Sequence, residues 1–167
     1  MIITDKWAFC ANPKAASTAI QKLLPINAGQ QPIENHAPLR QIKDMSNDRF
    51  VFAFIRNPFD RLVSMFKPKS KEAHIHHMMT IKDKIGQNPP INQHQYCCID
   101  GKIAVDYLGH TETFADDFRE ICKIIGVKYK YGIANKGNHK PWQEYYNDEA
   151  MAKVREVFAL DFEIGGY

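Results

Sequence analysis

Two short segments carry side chains whose types and spacing suit an anion. In Asn12-Pro13-Lys14-Ala15-Ala16-Ser17-Thr18, a lysine on a flexible stem precedes two hydroxyls. A loop that leaves a strand and enters a helix turns several backbone N–H groups toward one point. The helix dipole adds about half a positive charge there, so phosphate is the natural guest. In Phe54-Ile55-Arg56-Asn57-Pro58-Phe59-Asp60-Arg61-Leu62-Val63-Ser64-Met65-Phe66, a planar guanidinium follows an apolar run and Ser64 lies two turns into the helix that Pro58 opens. Arg56 and Ser64 would clamp one anion from two sides. Each segment also has a plainer reading. The first is an N-cap turn with an exposed Lys14, and the second is a pairing of Arg56 and Arg61 with Asp60 or other surface acids.

The elements that must position these residues can be read from hydrophobic patterning. Residues 7–11 are a short apolar run stopped by Asn12-Pro13, which predicts a buried strand, and 19–24 have helical spacing that breaks before Pro25. The same order recurs: six continuous apolar residues at 50–55, then Arg56-Asn57, then Pro58 at a first helical position and a helix through Phe66. Continuous hydrophobicity predicts strands covered on both faces. Two such units predict an α/β domain with a mostly parallel sheet, a three-layer α/β/α sandwich whose ligands bind beyond the carboxyl ends of the strands. Lys14 and Arg56 both stand at those ends.

Further along, 38–45 and 72–85 read as helices, Gln87-Asn88-Pro89-Pro90 as a loop, and 103–108 as a third strand. Thr113 with Asp116 three residues on has capping-box spacing, and Phe114, Phe118, Ile121, Cys122 and Ile125 form one stripe that ends at Gly126. Residues 129–146 read as a long loop with aromatics. Asn147-Asp148-Glu149 then opens a last helix carrying Met151, Val154 and Phe158. No repeat, linker or tail interrupts the chain, so 1–167 is expected to be one domain.

Composition narrows the function classes. A net charge of +3 is too small for a generic nucleic-acid binder, although residues 36–84 hold ten Lys or Arg against five Asp or Glu. No run approaches the roughly 18 apolar residues needed to cross a bilayer, and residues 1–9 lack a signal-peptide pattern. A soluble, cytoplasmic protein is expected, with no membrane partner. Cys10, Cys97, Cys98 and Cys122 form no CxxC pair and read as free thiols, the vicinal two carrying little functional weight. His74, His76 and His77, with His94, invite a metal, but on a helix only His74 and His77 share a face and no carboxylate or Cys completes a ligand set. No metal is expected. The run Lys67-Pro68-Lys69-Ser70-Lys71 reads as a solvated face or a contact for an acidic glycan.

Together the two anion segments resemble the motifs of sulfotransferases that use 3′-phosphoadenosine 5′-phosphosulfate (PAPS). Pro13 to Thr18 is similar to their 5′-phosphosulfate loop, written PKTGST, and Arg56 to Ser64 to their 3′-phosphate motif, RNPxxRxxS. The first is not a Walker A loop, which needs glycines before its Lys. The likeness runs on through Gln95-Tyr96, Val105-Asp106-Tyr107-Leu108-Gly109 with Glu112, Asp117-Phe118, Asn135-Lys136 and the C-terminal Asp161-Phe162-Glu163 with Gly166-Tyr167. It covers nearly the whole chain and is nearest to the carbohydrate sulfotransferase branch, with the P-loop-like fold of that family.

Carried over residue by residue, the resemblance implies that Pro13, Lys14, Ala15, Ala16, Ser17 and Thr18 hold the phosphosulfate and that Arg56 and Ser64 bind the 3′-phosphate. Lys14 would also stabilise charge on the leaving phosphate. Ala15 and Ala16 depart from the family's Thr-Gly, and His110 stands where an Arg is frequent. Transfer to a hydroxyl needs a base, and His36, between the two motifs, resembles the family's base-bearing segment. Nearby Arg40 reads as a solvated charge. The segment His139-Lys140-Pro141-Trp142 resembles a loop that closes over the nucleotide, with Lys136 and Lys140 as phosphate neighbours. Trp142 is a packing aromatic or a platform for adenine. The implied reaction moves a sulfuryl group from PAPS to a hydroxyl or amine of a carbohydrate-like acceptor. Alternatives are a nucleotide kinase-like phosphotransferase and a non-catalytic nucleotide- or polyanion-binding module. Oligomeric state is left open.

Overall fold

The computed structural model describes residues 2–24, 36–42, 48–85, 91–130 and 139–167. Strands β1 (Ile2–Ile3) and β2 (Trp7–Cys10) are followed by helices α1 (Ser17–Leu23) and α2 (Leu39–Ile42). Strand β3 (Phe50–Ile55) leads into α3 (Pro58–Phe66) and α4 (Lys71–Met79). A short hairpin, β4 (Cys98–Ile99) and β5 (Lys102–Ile103), precedes β6 (Tyr107–His110), α5 (Phe114–Ile124), α6 (Asp148–Val157) and α7 (Ala159–Gly165).

The main sheet has the order β1-β2-β3-β6, with β1 antiparallel to β2 and the other pairs parallel. Alternation sorts β2 and β3 onto two unlike faces. Trp7, Phe9, Phe52 and Phe54 point one way, to meet Ile20 of α1 and Phe118, Ile121 and Cys122 of α5. Ala8, Cys10, Val51, Ala53 and Ile55 point the other way, beneath Leu39 of α2, Tyr96 and Ile164 of α7. Bulky aromatics therefore fill one layer and small residues let the opposite layer approach. Each fully buried aromatic contributes about 1.5–3 kcal/mol. A third cluster, around Phe59, Met78, Tyr146, Val154 and Phe158, joins α3 to α4 and α6. The mixed α/β fold with a central, mostly parallel sheet covered by helices on both faces is the one the patterning implies.

Several boundaries differ from the patterning. The helix read over 72–85 stops at Met79 and tightens to a 3₁₀ turn, Ile81–Lys84. The Thr80 hydroxyl donates to the carbonyls of His76 and His77 at 3.4 and 3.3 Å, a local bond that competes with the helical ladder. The strand read over 103–108 is divided between two sheets. Asp100 and Gly101, with φ of 50° and 76°, turn β4 into β5, whereas β6 begins after Asp106, whose carboxylate accepts the Val51 N–H at 2.7 Å. Thr113 does not cap α5; its hydroxyl donates to Asp117 at 2.6 Å. The last helix is two, hinged at Phe158. Of the helix read over 38–45, residues 43–45 lie outside the described residues, as does the loop at 87–90. No helix among the described residues is long and apolar enough to cross a membrane.

Candidate functional site

Because β2 and β3 run parallel, with Cys10 beside Ala53, the segments that follow them emerge at the same edge of the sheet. Buried Asn12 ties them together: its Nδ2 donates to Phe54 O at 2.9 Å and to Gln93 Oε1 at 3.1 Å. Arg61, 1 % exposed, reaches under the loop and donates through Nε to Pro13 O at 2.8 Å, through NH1 to Ile91 O, and through NH2 to Asn12 Oδ1 at 3.2 Å. Burial pulls its pKa down to about 10, opposed by the Asp161 carboxylate. Arg61 is thus an internal strut and not the surface ion-pair partner that sequence suggests.

Held from below, the loop bends sharply. Lys14 and Ala16 take left-handed φ values of 63° and 58°, and no side chain caps α1, whose N-cap position is Ala16. Left-handed residues of this kind turn backbone N–H groups to one concave side, the geometry of an anion nest. Ala15 points its methyl into the aromatic layer and is fully buried. Lys14 and Thr18 are exposed and Ser17 is buried.

The second segment is arranged differently. Asn57 Oδ1 accepts the Phe59 N–H at 3.0 Å, Pro58 needs no partner, and the Asn57 N–H goes to Glu112 Oε1 at 2.8 Å. The Gln93 side chain grips the Arg56 backbone on both sides, accepting its N–H at 3.0 Å and donating to its carbonyl at 2.7 Å. Asp60 holds the Arg56 guanidinium, accepting from Nε at 2.7 Å. NH2 pairs with the same carboxylate at 2.5 Å and stands 3.4 Å from His139 Nε2, which leaves NH1 directed at Lys14 O, 3.4 Å away. The pairing of Arg56 with Asp60 foreseen as the plainer reading exists, and it aims the guanidinium at the first loop.

These arrangements converge on one cleft of about 220 Å³, lined by Pro13, Lys14, Ala16, Ser17, Thr18, Ala19, His36, Arg56 and Ser64. His36 Nδ1 lies 2.8 Å from Ala11 O. A carbonyl can only accept, so Nδ1 carries the proton and the neutral ring keeps its lone pair on Nε2. Lys140 stands apart from this lining, paired with Glu144 at 3.1 Å and 72 % exposed. Lys136 lies outside the described residues. Trp142 stacks on Phe59 with centroids 4.7 Å apart, as packing, and exposed Arg40 pairs with Asp100. His74 is wholly buried against Tyr146. His110 Nε2 meets Gly165 O at 3.1 Å, so His110 docks the C-terminal helix.

Sequence reasoning passed over Arg61 as a strut, Gln93 as a clamp and His139 as a neighbour of Arg56. For Gln93 no local pattern signals the role. For Arg61 the signal is its place three residues after Pro58 and next to Leu62, on the buried side of α3.

The protein is thus an α/β protein with a cleft bordered by Lys14 and Arg56 at the carboxyl ends of two parallel strands. The family model described as the sulfotransferase family matches residues 3–167, and the chain belongs to that family. No curated protein matches the chain, and no solved structure does.

Proposed function

We propose that this sulfotransferase takes its sulfuryl group from PAPS and transfers it to a hydroxyl of a carbohydrate-like acceptor, acting as a single domain in the cytoplasm. The observation that carries the reading is the shared cleft: Lys14, Ser17, Thr18, His36, Arg56 and Ser64 line it together. Its donor set suits a doubly phosphorylated nucleotide, with a lysine and two hydroxyls at one end and a guanidinium and a hydroxyl at the other. Pro13, Ala15 and Ala16 would contribute backbone, and Lys136 and Lys140 would join from the C-terminal loop, Lys140 first leaving Glu144. Bound PAPS supplies an activated sulfuryl group. Lys14 neutralises charge that grows on the 5′-phosphate oxygen, and the nest fixes that phosphate without reorganising. His36 accepts the acceptor's proton at Nε2, its tautomer held by Ala11 O. Arg56 and Ser64 orient the far end of the nucleotide. The carbohydrate part of the reading rests on the branch resemblance and on the polar residues 67–95 that follow α3.

The test is transfer of labelled sulfate from PAPS across a panel of glycans, small alcohols and amines, with calorimetric titration of adenosine 3′,5′-bisphosphate beside it. Sulfated product formed in the presence of a chelator is expected. Bisphosphate binding without product from any acceptor would leave only a binding module. A requirement for ATP and magnesium would overturn the sulfuryl chemistry.

A further inference from the structure

Arg56 stands where β3 gives way to α3, and both peptide planes that flank its Cα are held. In the plane before it, Ile55 O accepts the Thr111 N–H at 2.9 Å and the Arg56 N–H goes to Gln93 Oε1 at 3.0 Å. In the plane after it, Arg56 O accepts from Gln93 Nε2 at 2.7 Å and the Asn57 N–H goes to Glu112 Oε1 at 2.8 Å. Two planes fixed on either side of a Cα fix φ and ψ, and with them the direction in which the side chain leaves the chain. Three of these four bonds come from main chain or from the buried Gln93. The fourth comes from Glu112, which is exposed and is itself held: its Oε2 accepts the Tyr167 hydroxyl at 2.9 Å and the Thr111 hydroxyl at 3.2 Å.

We infer that Glu112 and Tyr167 are positioning residues for the far end of the nucleotide, bracing Arg56 through the Asn57 peptide. The inference rests on the reading of Arg56 as the contact of the 3′-phosphate. Neither residue lines the cleft of Lys14 and Arg56, so both act through the backbone. A carboxylate only accepts and the phenol donates to it, so the Tyr167 hydroxyl sets the way Glu112 turns and presents its other oxygen to Asn57. The fold reserves room for that phenol: the Tyr167 ring stands edge-on to His110 with centroids 5.8 Å apart, and a Cβ on Gly165 would run into it. Burial, and then the Glu112 charge, hold the Tyr167 hydroxyl protonated well above the ordinary tyrosine range, so it stays a donor at neutral and mildly alkaline pH.

The brace matters because the guanidinium has little left to offer. Asp60 takes Nε and NH2, and NH1 is the nitrogen that faces the Lys14 loop. A contact made by so narrow an edge depends on its aim, and a small rotation of the Asn57 peptide is magnified along the long Arg56 side chain. The hydrogen bonds of an exposed carboxylate add little to stability, since water competes for both partners. Loss of the brace should therefore spoil recognition of the phosphate while the fold stays intact.

The experiment is calorimetric titration of the full chain with adenosine 3′,5′-bisphosphate and with adenosine 5′-monophosphate, which lacks the phosphate assigned to Arg56. Tighter binding of the bisphosphate by the wild type tests the reading on which the inference rests. Tyr167→Phe, which keeps the ring, and Glu112→Ala should each weaken the bisphosphate about fivefold and leave the monophosphate within about twofold. In an Arg56→Ala background neither substitution should weaken the bisphosphate further. Tyr167→Phe decides the matter alone if Glu112→Ala does not fold. Equal weakening of both nucleotides, unchanged bisphosphate binding, or a further loss in the Arg56→Ala background would each overturn the inference. A wild type that binds the two nucleotides alike would remove the role of Arg56 and the brace with it. The reading thus fails in the wild type, and the brace alone fails in the variants.

Discussion

The two strand–turn–helix units share an order of elements and differ in what they offer the cleft. In the first, β2 to α1, the turn contains two left-handed residues and the helix has no side-chain cap, so its first backbone N–H groups are left without a side-chain partner. In the second, β3 to α3, Asn57 caps the helix, Pro58 occupies its first position and Gln93 occupies both backbone groups of Arg56. Its peptide groups are satisfied internally, and only side chains, Arg56 and Ser64, reach outward. The residue at the N-cap decides whether such a unit binds with main chain or with side chain: a carboxamide closes the helix end, and an alanine leaves it open.

If the first unit carries chemistry and the second carries affinity, variants should separate the two. Lys14→Met and His36→Ala should each lower kcat by about 10²–10³-fold with the fold intact, because each removes an interaction that strengthens as charge develops. Arg56→Ala and Ser64→Ala should mainly raise KM for PAPS and weaken adenosine bisphosphate binding. Steady-state kinetics at varied donor concentration check this. A pure KM effect from Lys14→Met would erase the distinction between the units.

Next in size is the strut between them. Arg61 donates to Pro13 O, Ile91 O and Asn12 Oδ1 from a fully buried position, so Arg61→Met would leave two buried acceptors and a part-buried one short of a donor. A loss of about 3 kcal/mol in urea unfolding is expected. The first unit should suffer more than the second, with proteolysis beginning near Lys14. Unchanged stability would mean that the loop holds its shape without this support.

Much of this frame was legible. Continuous apolar runs mark β2 and β3, Asn57-Pro58 marks the start of α3, and the strand–turn–helix order puts Lys14 and Arg56 at one edge. Two-residue strands such as β4 and β5 bury too little to leave a hydrophobic pattern, although the Asp100-Gly101 turn was there to be seen. The roles of Arg61 and Gln93 were hidden because burial of a polar side chain is set by contacts across 30 to 81 positions of sequence. The reversal of Arg61 from surface to strut shows the limit: composition ranks arginine as exposed, and only packing reveals the carbonyls that accept from it.

Acid should weaken the support of the second unit ahead of the first. His74 of α4 is buried with both ring nitrogens lacking partners, edge-on to Tyr145 and to Tyr146, whose hydroxyl donates to Phe59 O of α3 at 3.0 Å. Burial, aided by the charge of His77, lowers its pKa to about 4. Above pH 6.5 the ring is neutral in both folded and unfolded chains. As pH falls below that value the unfolded chain takes up the proton first, and stability declines until the folded pKa is passed, by about 3 kcal/mol in all. Unfolding midpoints measured from neutral to mildly acid pH should show this slope, and His74→Phe should flatten it. An unaltered slope in His74→Phe would assign the acid sensitivity elsewhere.

The smallest effects have opposite signs in the two units, and for that reason they sharpen the comparison most. Asn57→Ala removes the acceptor of the Phe59 N–H and should cost about 1 kcal/mol. The first unit has no cap to lose, but it holds an L-residue in a left-handed turn. Ala16→Gly relieves about 1 kcal/mol of that strain and gives part of it back through the freer unfolded chain and the lost methyl contact, for a net gain near 0.5 kcal/mol. Thermal melts of the two single variants and the double variant should add, since the altered backbones belong to different turns. A destabilised Ala16→Gly would show that the Ala16 methyl, packed against the aromatic layer, holds the open turn in shape and outweighs the strain of its backbone.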